Sequence, residues 1–502
     1  MKILTSTLIL LAGCALNGTT ASILSPANLP SGLPSEKAAK AILNFTPRHR
    51  EWATVAVGAA NVLAFIVYPE RSDKAPVVLV TARDQGASDW VRASADQVAA
   101  AGFIALVPDV LTGRGPKAGD TDSFASSAEV VRALNELGPQ EIERRSGAVR
   151  AYGLALPAAN GQSATLELNT QSSTIHAAFE KHAATFHLNQ QGWSEALVYL
   201  TSETGDKPVF APNNDEHAAH YAMLAKAQQS SATERAGSST QQPSAAVNLA
   251  EKHPNLPANY YTAKSTVAKS KLRKEWVDIP MGDVQLHTWI EYPEGNGKAG
   301  TVIVMQHGTG MDTWVRAVAD QLAHDGFIAV APDIWSGTGA GGGGIDSFQF
   351  VDDAIKAGVK VSPDETMRRF KAARDYALKL PRANGKTASL GFCAGGGNSF
   401  RFAGEVPELN AAVVFYGTPP DEATMTKIKA PVLGFYGEND ARVTSTVQPT
   451  IAAMEKLGKV FEPHIYPKAT HSFVMFQDAG ANTAAIEDAW PRAIAFLKNH
   501  IS

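Results

Sequence analysis

Beyond residue 300 the chain alternates short apolar runs with longer mixed stretches. The runs "TVIVMQ", "FIAVAPD", "ASLGFC", "AAVVFYG", "PVLGFYG" and "FEPHIYP" are six or seven residues long and rich in branched and aromatic side chains, the pattern of buried strands. The intervening segments around Asp312–His324, Asp364–Leu380, Thr444–Leu457 and Ala484–Asn499 have the length and mixed polarity of helices. Near-continuous apolar strands separated by helices predict a mostly parallel sheet covered on both faces. Such sheets bind ligands at the carboxyl ends of their strands.

The first half carries the same pattern. Trp52 and Trp276 differ by 224 positions, as do Pro69 and Pro293, and the offset holds without a gap as far as Leu166 and Leu390. Within it, "SDWVRASADQVAAAGFIALVPD" (88–109) and "DTWVRAVADQLAHDGFIAVAPD" (312–333) agree at 14 of 22 positions, which identifies a tandem duplication with a period too long for a solenoid. A Ser/Gln/Thr/Ala-rich stretch at 225–246 has little to bury and reads as linker. The expected organisation is a leader over 1–21, a first copy over 22–224, a linker over 225–259 and a second copy over 260–502.

Composition narrows the function only a little. A formal net charge of -4 and a pI near 6.4 set nucleic acid and other polyanions aside. The leader "MKILTSTLILLAGC" ends in Leu11-Ala12-Gly13-Cys14, which looks like a lipobox after a short export signal. On that reading Cys14 is lipidated and the protein sits in a bacterial envelope, as an outer-membrane lipoprotein anchored by its acyl chains. Cleavage near Thr20-Ala21, giving a periplasmic protein, and no cleavage at all are the alternatives. Lipidation of Cys14 would leave Cys393 without a disulfide partner, since the chain has two cysteines.

That cysteine stands in "SLGFCAGGGNSF". Gly391-Phe392-Cys393-Ala394-Gly395 fits the G-x-S-x-G nucleophile elbow with cysteine in place of serine, after a predicted strand and before a predicted helix. The helix N-terminus aims backbone N–H groups at the thiolate and at a developing oxyanion. Asp440 in "FYGENDARV" and His471 in "KATHSFV" follow later strands. The order nucleophile, acid, base is the one α/β-hydrolases use. His307-Gly308-Thr309-Gly310 follows "TVIVMQ", and Gly308 is the candidate for a second oxyanion N–H beside that of Ala394.

The "GFCAGG", "GENDARV" and "THSFV" motifs with the "FIAVAPD" strand resemble the dienelactone hydrolase family over roughly Val277 to His500. The resemblance implies two α/β-hydrolase-like domains, the first truncated, with no metal and no organic cofactor. It assigns Cys393 as nucleophile, Asp440 as triad acid, His471 as base and Ala394 to the oxyanion hole. Where the family's characteristic enzymes have a glutamate after the first long strand this chain has His307, and where they have an arginine that holds the substrate carboxylate it has Met475. Met475 therefore points to a less anionic substrate, with Trp335 and Tyr416 as further pocket candidates.

At the 224 offset Cys393 becomes Asn169, Gly391 becomes Glu167, Ala394 becomes Thr170, Gly395 becomes Gln171 and His307 becomes Arg83. The first copy is thus expected to lack the chemistry, although Asp215 stands near where the acid would be, and His217 and His220 follow it. The expected role of this copy is to shape or cover the active cleft. The reading that follows is a hydrolase of a small ester or lactone working through a thioester acyl-enzyme. A thioesterase, an acyltransferase and an envelope binding protein with a relic triad are the alternatives.

Overall fold

The computed structural model describes residues 32–205, 255–477 and 480–502. The expected leader with Cys14, Asp215, His217, His220 and most of the linker lie outside the described residues.

The first copy carries strands β1 (Arg50–Val57), β2 (Ala60–Val67), β3 (Ala75–Ala82), β4 (Ile104–Asp109), β5 (Ala159–Asn169), β6 (Thr174–Phe179) and β7 (His182–His187), in the spatial order 1-2-4-3-5-6-7. The second carries β8 (Lys274–Met281), β9 (Val284–Glu291), β10 (Ala299–Met305), β11 (Ile328–Pro332), β12 (Ala383–Phe392), β13 (Ala411–Phe415), β14 (Val432–Asn439) and β15 (Phe461–Thr470), ordered 8-9-11-10-12-13-14-15. From β11 to β15 every neighbouring pair is parallel, and β8 and β9 close the edge as an antiparallel hairpin. The central strands are buried along almost their whole length, as the unbroken apolar runs require.

The predicted helices form as Thr313–His324, Pro363–Ala377, Val447–Lys456 and Gly480–Ile501. Asp312 caps the first by accepting from the amides of Trp314 and Val315, and Ser362 with Pro363 starts the second. The duplication extends to buried hydrogen bonds. Trp90 donates to the Pro34 carbonyl at 2.8 Å and its counterpart Trp314 to that of Ala258 at 3.0 Å. Arg145 and Arg369 each hold a matching pair of carbonyls, those of Val110 and Thr112 and those of Ile334 and Ser336.

The copies part where the elbow sequence is lost. After β5 the first copy turns back through Thr170–Ser173 into the antiparallel hairpin β6–β7, so its parallel centre is β4, β3 and β5. Asp84 accepts from the backbone and side chain of Thr170, and Asn169 accepts from the Ser172 amide at 2.9 Å, a polar turn in place of a helix start. Glu167 and Arg83, which replace Gly391 and His307, form a surface ion pair at 2.6 Å, worth little by itself.

One apolar core runs through both copies. The first copy rests on helix Val351–Gly358 of the second. Arg92 and Asp352, exposed by 1% and 5%, pair at 3.1 Å across the junction. Lys356 reaches Asp120 at 2.8 Å and Asp122 at 2.6 Å and lies over the Trp52 ring. Trp52 is 6% exposed in this contact, whereas its counterpart Trp276 is 43% exposed.

Candidate active site

Cys393 stands between β12 and the helix Ala394–Glu405 with φ 55° and ψ -120°. A non-glycine residue in that region is strained, and its surroundings hold it there. A Cβ on Gly391 would strike the Gly395 carbonyl, and one on Gly395 would strike the carbonyls of Met305 and Gln306. Small residues at both positions therefore let strand and helix meet at the bend. Gly391→Ala should cost about 1–3 kcal/mol through overpacking and slow alkylation of the thiol well beyond what the lost stability explains. Denaturant unfolding and iodoacetamide labelling check this, and an unchanged labelling rate would count against the geometric argument.

Asp440 follows β14 and His471 follows β15, so parallel pairing brings both to the edge of the sheet where Cys393 ends β12. His471 Nδ1 lies 2.5 Å from Asp440 Oδ2, and both side chains are buried. The other ring nitrogen, Nε2, makes no hydrogen bond of good geometry among the described residues, while a ring nitrogen of His471 lies within 4.8 Å of Cys393 Sγ. Burial opposes the charge on Asp440, yet His471 and Arg442 hold its carboxyl below the usual range. Burial likewise opposes protonation of His471, but Asp440 and the Cys393 sulfur raise its pKa to about 9. Burial would raise the Cys393 thiol, and two nearby imidazoles overcome this and place it well below the ordinary value. Both shifts favour a thiolate–imidazolium pair.

Only one of those imidazoles was legible in the motifs. The second is His49, from the first copy, whose Nδ1 lies 3.3 Å from Cys393 Sγ. Its ring meets that of His471 edge-on at 4.9 Å, and its Nε2 lies 3.3 Å from Glu51. The sequence held one signal for it. The repeat aligns His49 with Arg273 and Glu51 with Glu275, so a histidine replaces an arginine just ahead of the strand that touches the second copy.

The other candidates are placed as follows. Gly308 lines the cleft, and a Cβ there would lie 3.9 Å from Sγ, so its backbone adjoins the nucleophile. Met475 lines the same cleft. His307, a substrate-binding candidate, also lines the cleft and is buried, with its ring nitrogens engaged by Thr309 at 2.8 Å and Asp312 at 3.3 Å. Trp335 is not among the residues lining this cleft. It is 7% exposed, and its ring lies where side chains on Gly310 and Gly358 would fall. Tyr416, 1% exposed, backs His471 with ring centroids 4.9 Å apart and does not reach the cleft either. Arg50 of the first copy also lines the cleft; burial lowers its pKa against the opposing pull of Asp352 and Asp96.

The cleft is small, about 50 Å³, room for a few waters or a short acyl group. Segment Asn44–Arg50 of the first copy forms one wall, and Gly308, Ser472 and Met475 stand among the facing residues. A lowered thiol, a paired imidazole and amides at a helix start together allow nucleophilic attack on a carbonyl.

Comparison with known proteins bears on the family of the chain. The sequence profile of the dienelactone hydrolase family matches residues 62–163 and 286–501, more than half of the chain and parts of both copies. A "Putative carboxymethylenebutenolidase" of Saccharolobus solfataricus is 30% identical over 227 residues, covering 39% of this chain and 88% of that protein. A protein of the same description from Synechocystis is 28% identical over 238 residues, covering 43% and 92%. Among solved structures, a putative dienelactone hydrolase from Klebsiella pneumoniae aligns at 24% identity with a TM-score of 0.42, covering 46% of this chain and all of its own.

Proposed function

Since the chain belongs to the dienelactone hydrolase family and is a carboxylic ester hydrolase by class, we propose that it cleaves a small ester or lactone through Cys393, His471 and Asp440. The carrying observation is the buried cluster in which His471 Nδ1 meets Asp440 at 2.5 Å and a ring nitrogen of His471 lies within 4.8 Å of Cys393 Sγ. Thiolate Cys393 attacks the carbonyl carbon, and the electron pair moves to an oxygen held by the amides of Ala394 and Gly308. Imidazolium His471 protonates the leaving oxygen as the C–O bond breaks, giving a thioester. Acylation removes the sulfur's negative charge, so the support it lent to protonated His471 disappears. Neutral His471 then takes a proton from the water that attacks the thioester carbon, the C–S bond breaks, the acid leaves and the Cys393 thiolate is restored beside imidazolium His471. The small cleft favours a short acyl group.

Cys393→Ala is expected to abolish hydrolysis of p-nitrophenyl acetate and of simple lactones, with a loss of about 10⁴-fold or more. A panel of oxyesters, lactones and thioesters run on both proteins separates ester hydrolysis from thioester preference. Full activity in the alanine variant would sink the assignment.

A further inference from the structure

The contact between His49 and the nucleophile crosses from the first copy to the second and belongs to no element of the Cys393–His471–Asp440 set. We propose that His49, held from behind by Glu51, is a second catalytic histidine supplied by the copy that has no nucleophile of its own. The inference rests on the reading of Cys393 as nucleophile.

Three observations carry it. The first is position. His49 Nδ1 is 3.3 Å from Sγ and its side chain is 8% exposed. The second is the arrangement behind the ring, where Nε2 faces Glu51 at 3.3 Å and the other Glu51 oxygen accepts from Tyr68 at 2.8 Å. Each ring nitrogen thus faces a group able to accept a hydrogen bond, the sulfur on one side and the carboxylate on the other. The third is the internal comparison. In the second copy Tyr292 donates to Glu275 at 2.7 Å, and Arg273 reaches the same carboxylate at 3.4 Å from the surface. The glutamate and tyrosine are thus the same in both copies, and only the residue facing the nucleophile differs.

The groups around His49 are Glu51, Tyr68, Cys393 and His471, with Arg442 behind them over the Tyr68 ring. His49 donates to the resting thiolate. When sulfur attacks the carbonyl carbon, a C–S bond forms and the charge passes from sulfur to oxygen. The Nδ1–H, freed from its anion, is then beside the new oxyanion and the leaving oxygen. His49 transfers no proton, since the leaving oxygen takes its proton from His471. Its part is electrostatic, lowering the charge-bearing states on either side of the attack. His307, the residue at the family's glutamate position, points its ring nitrogens to Thr309 and Asp312 and leaves this place by the sulfur to His49.

The test uses the full chain in two readouts, the pH dependence of iodoacetamide alkylation of Cys393 and kcat/KM for p-nitrophenyl acetate. In His49→Asn the alkylation midpoint should move up by about one pH unit or more, and kcat/KM should fall about a hundredfold. Glu51→Gln should move both in the same direction by less. Arg273→Ala, at the duplicated position, should leave both unchanged. If His49→Asn does not fold, His49→Gln takes its place, judged by its thermal midpoint. A variant with the wild-type midpoint and turnover overturns the proposal, and so does one with increased turnover, which would make His49 a plug. A wild-type protein that hydrolyses no ester but whose thiol midpoint shifts in the His49 variant would end the hydrolase reading and leave the His49 contact standing.

Discussion

His471→Ala should lower kcat/KM for a short activated ester by about a thousandfold or more at pH 7 and remove the alkaline limb of its pH profile. The wild-type profile follows from the shifts at the site. Burial raises the Cys393 thiol, but His49 and His471 outweigh it and bring the pKa well down, so activity rises with pH through an acidic limb and is already high at neutrality. Burial disfavours protonated His471, but Asp440 and the thiolate outweigh this and raise its pKa to about 9. Below that value the ring holds the proton the leaving oxygen needs. Above it the proton is lost and acylation slows, so the curve is a bell falling near pH 9. In His471→Ala the residual activity should show no fall there. A variant that keeps the limb would show that another group supplies the proton.

Arg92→Ala should be the most damaging substitution away from the cleft. It leaves Asp352, 4% exposed, as an unpaired charge at the junction of the two copies, a change that costs about 3–5 kcal/mol. Arg92 also bonds the Ala87 carbonyl and pairs with Asp89 at 2.6 Å, so the local chain loosens as well. Thermal unfolding should show a lower midpoint for the whole molecule, since one core spans both copies. Replacing both partners together, as in Arg92→Met with Asp352→Leu, should recover part of the loss, because it removes the buried carboxylate but also takes away the charge that faces buried Arg50. A single variant that melts like the wild type would show that the pair contributes nothing to the junction.

Much of the catalytic half was legible because its chemistry sits at strand ends. Cys393, Asp440 and His471 each follow an apolar run in "ASLGF", "PVLGFYG" and "HIYP", and parallel pairing of those runs carries all three to one edge. The glycines of the elbow had to be small for steric reasons that the motif already states. Trp335 and Tyr416 were harder to place, since strand-end position does not say whether a ring turns to the cleft or to the core. The hairpin β6–β7 was missed because the repeat stops matching at the point where it begins. His49 was missed for a different reason. Its partner is 344 residues away, and no local pattern links a histidine in "RHREW" to a sulfur in another fold unit. Only alignment of the two copies, with Arg273 opposite it, marks the position as altered.

The distance along the chain between that histidine and that sulfur has a further consequence for how the protein comes into being. During synthesis the first copy emerges long before the elbow, and the elbow before Asp440 and His471. An unassembled cysteine has a pKa of about 8.5 and is largely protonated at neutrality. The thiol is lowered first when His471 folds beside it within the second copy, and again when His49 of the first copy closes on it. Closure of the two halves thus completes the set of charges around the sulfur.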